Sequence, residues 1–196
     1  VDYVISGGKT MNPSTEDIVK AIEQVNAKNV IILQNNKNIF MAAQSDAEVV
    51  DVNAAVVETR KGPQGCTSLL AFDPSQSIEA NVEAMTASLS DVTSGSVTLA
   101  VRDTTIDGLE IHENDILGMV DGKILVSTPD MDQALLDTFD KMIDEDSEIV
   151  MIYVGEEGNQ EQAQALAEKL EEAHEGIEVE IFQGDQPVYP YLFSVE

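Results

Sequence analysis

The chain has 196 residues, 43% of them hydrophobic, with 37 acidic residues against 10 basic ones and a formal net charge of −27. That excess argues against nucleic acid and anionic membrane surfaces as partners, since both would repel it. A single cysteine, Cys66, excludes an internal disulfide, and no apolar run approaches the ~18 residues of a membrane span, so membrane insertion is not expected. The cytoplasm is then the default compartment. The length suits one large domain or two small ones. Because the chain begins with Val1 rather than Met and runs at once into apolar residues, it reads as an excised part of something longer.

Tyr3-Val4-Ile5 is short, aromatic and β-branched, the composition of a buried strand, and Gly7-Gly8 should end it. A polar loop follows, with Gly7, Gly8, Lys9, Thr10, Met11, Asn12 and Ser14 as candidate binding residues. Ser14 and Asp17 have the spacing of a capping box, and the helix they open should run from about Thr15 to Asn26 with Ile18, Ala21, Ile22 and Val25 on one face. The strand Val30-Ile31-Ile32-Leu33 comes next. This order places the first loop at the carboxyl end of a strand, where open α/β sheets hold ligands and partners. The loop has two readings, an anion cradle or a tight structural turn. Neither a GxGxxG nor a GxxxxGK[ST] pattern is there to decide for the cradle.

A second polar loop carries Asn35, Asn36 and Asn38, and a short helix is expected from about Asn38 to Ser45. Strands are expected near Val49–Val52 and Ala55–Val57, then a third loop, Gly62-Pro63-Gln64-Gly65, which contributes Gln64. Cys66 at the following helix start reads as a small packed residue rather than an activated thiol. A boundary is expected near Asp73–Gln76, giving units 1–75 and 76–196. Ser77 to Leu89 has helical spacing. Val97, Leu99 and Val101 alternate as in a strand, and Arg102 follows them. Asp107-Gly108 reads as a turn, and Asp121-Gly122 is a hairpin-turn signal between strands Ile116–Val120 and Ile124–Ser127. Thr128-Pro129 should cap a helix with Met131, Leu135, Phe139 and Met142 facing inward. Strands Ile149–Val154 and Ile177–Ile181 flank a helix from about Gln160 to His174, a second βαβ-like unit. The aromatic tail from Gln186 to Glu196 should be docked rather than loose.

Catalytic chemistry is thin in this pattern. His112, His174 and Cys66 fall short of the four ligands of a structural zinc site, and both histidines read as turn or helix-end residues. Asp103, Asp107, Asp115 and Asp121 offer carboxylates for a hard cation, but without EF-hand spacing they read more simply as turn residues.

Five segments taken together resemble one family: Ser6-Gly7-Gly8-Lys9-Thr10-Met11-Asn12-Pro13-Ser14-Thr15-Glu16-Asp17, Leu33-Gln34-Asn35-Asn36-Lys37-Asn38-Ile39, Pro63-Gln64-Gly65, Ala100-Val101-Arg102-Asp103-Thr104 and Gln186-Pro187-Val188-Tyr189-Pro190-Tyr191. The set is similar to the C-terminal domain of FakA, the A subunit of bacterial fatty acid kinase, also described as YloV-like or dihydroxyacetone-kinase-like. The resemblance spans nearly the whole chain and departs from the usual pattern at Gln34 and Gly62. It implies an α/β DegV-like (EDD-type) fold, with a parallel α/β unit followed by a second α+β unit. It also implies that this is a non-catalytic region of a bacterial kinase supplying acyl phosphate for phospholipid synthesis. ATP and magnesium would bind in a kinase domain outside this chain, with no cofactor here. The implied partners are the rest of FakA and FakB, the fatty-acid-binding B subunit, with a homodimer of the full-length protein left open.

Three readings follow from residues and resemblance together. The first is a docking module for FakB. The second is a domain that binds a small anion or acyl ligand itself, through Thr10, Asn12, Ser14, Asn36 and Gln64, with Lys9 supplying charge. The third, an independent enzyme such as a phosphatase, has the least support in the residues.

Overall fold

The computed structural model describes residues 1–5, 13–34, 52–59 and 62–196. The chain divides into two compact units, Val1–Asp91 and Val92–Glu196. The division falls later than the expected 75/76 because the helix after Ser77 packs on a strand of the first unit.

In the first unit, helix α1 spans Thr15–Val25. The Ser14 hydroxyl accepts from the Asp17 amide at 3.2 Å, and the Asp17 carboxylate accepts from the Ser14 amide at 2.9 Å and from its hydroxyl at 2.7 Å. This is the capping box expected from the sequence, and it fixes the helix start. The Ser14 hydroxyl, ahead of its amide, holds the Asp17 carboxyl below its ordinary value. Asn26, at φ 50°, ends the helix in the left-handed region. Strand β1 (Asn29–Gln34) then pairs in parallel with β2 (Asn53–Glu58), in register from Asn29 opposite Asn53 to Gln34 opposite Glu58. Ile18, Ile22 and Val30 form a small buried core, with Ile5, Ile32 and Val56 packed against it.

Tyr3-Val4-Ile5 is not a strand. Among the described residues β1 pairs with β2 and no ladder reaches residues 3–5, and propensity without a ladder partner leaves Val4 77% exposed. Gly62-Pro63-Gln64-Gly65 is not a loop either, because helix α2 begins at Gly62 and runs to Leu70. Pro63 sits in the first turn, where its missing amide hydrogen costs nothing. Cys66, on this helix, is exposed rather than packed. Helix α3 (Ile78–Ala87) is capped by Ser77 and followed by a 3-10 turn, Ser88–Ser90. Buried Asn81 accepts from the Asp73 amide at 2.7 Å and donates to the Asp73 carbonyl at 2.8 Å, tying the preceding turn to the helix. The helix expected at 38–45 and most of the strand expected at 49–52 lie outside the described residues.

The second unit is built on a six-stranded sheet of order β7-β6-β3-β10-β8-β9. Its strands are β3 (Thr93–Leu99), β6 (Ile116–Val120), β7 (Lys123–Thr128), β8 (Ile149–Val154), β9 (Glu178–Gln183) and β10 (Tyr191–Val195). A separate hairpin joins β4 (Thr104–Ile106) to β5 (Leu109–Ile111). Both Asp-Gly signals form hairpin turns, with φ positive at both residues of each pair (52° and 86° at Asp107-Gly108, 49° and 82° at Asp121-Gly122). Helix α4 spans Met131–Phe139 and α5 spans Gln160–Ala173. The cap of α4 is Asp130, whose carboxylate accepts from the Gln133 amide at 2.8 Å, so the helix starts later than the expected Thr128-Pro129 cap. A carboxylate at that position both satisfies an orphan amide and complements the helix dipole.

The tail is more than docked. Its strand β10 lies between β3 and β8, antiparallel to both, and Tyr191, Phe193 and Val195 are buried. The Phe193 ring lies 4.6 Å from that of Phe139, at 56°. Around them Val97, Leu135, Val150, Ile152, Ala163 and Leu166 complete the main core. Leu99 and Val101, expected to alternate inward with Val97, are instead 46% and 85% exposed. The strand ends at Leu99, and the backbone turns at Ala100, whose amide donates to the Asp115 carbonyl.

Two outcomes test this packing. Phe193→Ala should cost about 3–5 kcal/mol, read as a lowered urea midpoint. Asp115, buried under β5 and β7, accepts from the His112 amide at 3.1 Å and the Ser127 hydroxyl at 2.9 Å, and these bonds hold its carboxyl below the ordinary 3.8. A depressed carboxyl stabilises the folded state above its unfolded value and loses that contribution as pH falls through the folded value. The stability difference between the unsubstituted chain and Asp115→Asn should therefore be constant above about pH 5 and shrink below about pH 4, measured by urea unfolding across that range.

Candidate functional site

Parallel strands leave their carboxyl ends open to whatever the following loops and helices bring there. In the first unit the described residues Gln34 and Thr59 at that edge are polar and buried. Gln34 ends β1 at 6% exposure, and its carbonyl accepts from the buried Thr59 hydroxyl at 3.0 Å. Thr59 follows β2 directly, and Gly65 of α2 lies against it, so close that a methyl there would sit 3.5 Å from Oγ1. One helical turn on, the Ser68 hydroxyl donates to the Gly65 carbonyl at 2.8 Å. Thr67 is 1% exposed, and among the described residues its Oγ1 has no hydrogen-bond partner. The Gln64 Oε1 is buried and, among the described residues, equally unpartnered. Buried polar atoms left this way each cost about 1–3 kcal/mol, so a pair of them on one helix calls for an explanation.

Of the candidate residues, Ser14 and Gln64 belong to the first unit and Arg102 to the second. The Ser14 amide and hydroxyl are committed to Asp17, which makes it a helix cap rather than a ligand contact. Gln64 lies on α2 next to Gly65, which packs against Thr59. Arg102 is exposed in the turn after β3. Gly7, Gly8, Lys9, Thr10, Met11, Asn12, Asn35, Asn36 and Asn38 lie outside the described residues. Thr59, Thr67 and Ser68 are not among the residues expected from the sequence. Their signal there is weak, a hydroxyl immediately after an apolar strand and two more along the next helix.

A groove of about 610 Å³ runs along α3 and β2, lined by Ala55, Ile78, Val82 and Ala87 and rimmed by Glu79 and Glu83. Its floor is apolar, but the two carboxylates would repel the head group of a fatty acid. Two of the aspartates considered for a hard cation already accept hydrogen bonds. Asp115 holds the His112 and Ser127 groups, and Asp103 accepts from the Glu113 amide at 2.7 Å. Among the described residues no group of three or more metal-ligating side chains comes together.

Comparison with known proteins agrees with the fold. The family model for FakA-like C-terminal regions of fatty acid kinase matches residues 1–196. An uncharacterized protein of Staphylococcus aureus is 44% identical over 194 residues, covering 99% of this chain and 35% of the relative. One of Staphylococcus haemolyticus is 47% identical with the same coverage. The chain thus spans about a third of the length of the curated relatives it matches. Among solved structures, the fatty acid kinase (Fak) B3 protein of Streptococcus pneumoniae, loaded with linoleic acid, superposes with a TM-score of 0.68 at 16% identity, covering 94% of this chain and 76% of that one. A DegV family protein of Corynebacterium glutamicum gives 0.67 at 20% identity, covering 98% and 85%. At those identities the likeness is one of fold, and that fold is DegV-like.

The unpartnered hydroxyl gives a direct test. Thr67→Val keeps the shape and removes the unsatisfied oxygen, so in the ligand-free chain it should raise stability by about 1 kcal/mol, read as a higher denaturation midpoint. A loss of stability instead would show that the hydroxyl has a partner in solution.

Proposed function

This chain belongs to the FakA-like C-terminal family of fatty acid kinase, and from that membership we propose that it is the region of FakA that docks FakB, the fatty-acid-binding B subunit. In this reading it contributes no catalytic group. It holds the partner so that the acid's carboxylate reaches a kinase site elsewhere in FakA, where ATP and magnesium bind. The observation that carries the reading is family membership over residues 1–196 of a chain spanning only about 35% of its relatives, so that a DegV-like region accompanies other parts in a longer protein. The net charge of −27 supports it further, because a strong single-sign field favours fast encounter with a basic surface.

A second reading is favoured by Gln64 Oε1 and Thr67 Oγ1, the buried atoms of α2 without a partner among the described residues. There the first unit holds a small ligand that donates to the amide oxygen. A neutral acceptor suits a hydroxyl, amide or protonated acid better than a bare anion.

Titration calorimetry of this chain with FakB, loaded and empty, tests the first reading, with stopped-flow association across a salt series beside it. Binding is expected, with an association rate that falls as salt rises, since exposed charges are screened within about 8 Å at physiological ionic strength. A rate indifferent to salt removes the steering, and no binding in either state removes the docking. Native mass spectrometry of the purified chain tests the second reading, where a co-purifying small molecule is expected and a bare mass would count against it.

A further inference from the structure

Between β9 and β10 the chain runs Gly184-Asp185-Gln186-Pro187-Val188-Tyr189-Pro190, and Val188 has φ 74°. A β-branched residue in the left-handed region is a steric outlier, kept only where the surroundings over-determine it. Glycine or asparagine would sit there more easily. No burial benefit compensates for the valine, because its side chain is 63% exposed.

The loop is held from several sides. The Gln186 side-chain amide donates to the Tyr153 carbonyl at 2.9 Å and the Tyr189 carbonyl at 3.2 Å, and the Gln186 backbone carbonyl accepts from the Glu156 amide at 3.1 Å. The Thr98 hydroxyl donates to the Val188 carbonyl at 3.0 Å. Gly155 and Gly158 lie so close under the loop that a methyl on either would collide with backbone carbonyls, of Tyr189 and Gln186 in the first case and Pro190 in the second. The Thr98 bond brings Val188 beside the end of β3, where Leu99 and Val101 are also exposed. The exposed acid Asp185 lies in the same loop and the exposed Glu156 and Glu157 on the segment bonded to Gln186, while Arg102 and Asp103, both exposed, follow Val101 in the chain.

We propose that Val188 is a preorganised apolar anchor, with Leu99 and Val101 as its flank, that inserts into an apolar pocket bordered by lysine or arginine side chains on the protein partner. The acids Asp185, Glu156 and Glu157 of the loop and the segment it is bonded to fit a partner rim of the opposite sign, and a rigid loop loses little conformational entropy on binding. The proposal rests on the docking reading, and so takes that partner to be FakB.

Val188→Gly relieves the left-handed strain and removes the anchor. It should raise or leave unchanged the melting temperature while weakening FakB binding tenfold or more in calorimetry. Gln186→Ala, which loosens the loop and leaves the valine in place, should weaken binding less and lower the melting temperature. If the unsubstituted chain binds and Val188→Gly binds equally well, the anchor is overturned while docking stands. If the unsubstituted chain does not bind, docking fails and the anchor fails with it. If Val188→Gly lowers both stability and affinity, the valine is structural and the proposal is again overturned.

Discussion

The second unit depends on one placement: its last strand is a central strand. With β10 between β3 and β8, Phe193 and Tyr191 lie in the middle of the core, and the sheet is not continuous until the chain end has paired on both sides. The Tyr191 hydroxyl carries the tie into α5, accepting from the Asn159 amide at 2.8 Å and lying 2.7 Å from Gln162 Oε1, which can take its proton. Burial pushes that phenol above its ordinary value, which further favours the protonated donor. The return from edge strand β9 to the centre then has to be made in a short loop. That constraint explains the close glycine approaches and the Gln186 clamp, while the exposed valine at φ 74° answers to no packing need in this unit.

Charge sets a second condition. With 37 acids and 10 bases, even complete pairing of the bases would leave the formal excess of −27, so the acids are tolerated mainly as solvated groups and helix caps. Several have local structural work: Asp17 and Asp130 cap helices, and Asp115 braces β5 against β7. The remainder supply a field rather than contacts. This distinction separates the local hydrogen-bond chemistry of the fold from the long-range attraction that the docking reading uses.

Local rules are readable wherever a residue type has one dominant physical role. The Ser14–Asp17 capping box, the Asp-Gly hairpin turns and the inward face of α5 through Ala163, Leu166, Ala167 and Leu170 all follow from short-range sterics and hydrogen bonding. Expectation and structure part where the answer lies in a distant partner. Tyr3-Val4-Ile5 has strand composition but no described ladder, and Gly62-Pro63 looks like a turn although proline opens a helix as readily as it breaks one. No periodicity in Tyr191–Val195 announces that its partners are β3 and β8 rather than an edge. The site is less readable still. Gln64 stands out in the sequence for its loop-like surroundings and matters for its helix, while Thr67 is noticeable only once burial shows its oxygen without a partner among the described residues.

On the docking reading with Val188 as its anchor, this chain meets a protein partner through a defined surface of its second unit. Hydrogen–deuterium exchange of the chain with and without FakB tests that claim most directly. Slowed exchange is expected at residues 184–190 and at 99–102, with the strand-end cluster around Thr59 and Gln64 unchanged. Protection confined to that cluster, or none anywhere in the presence of saturating partner, would contradict it.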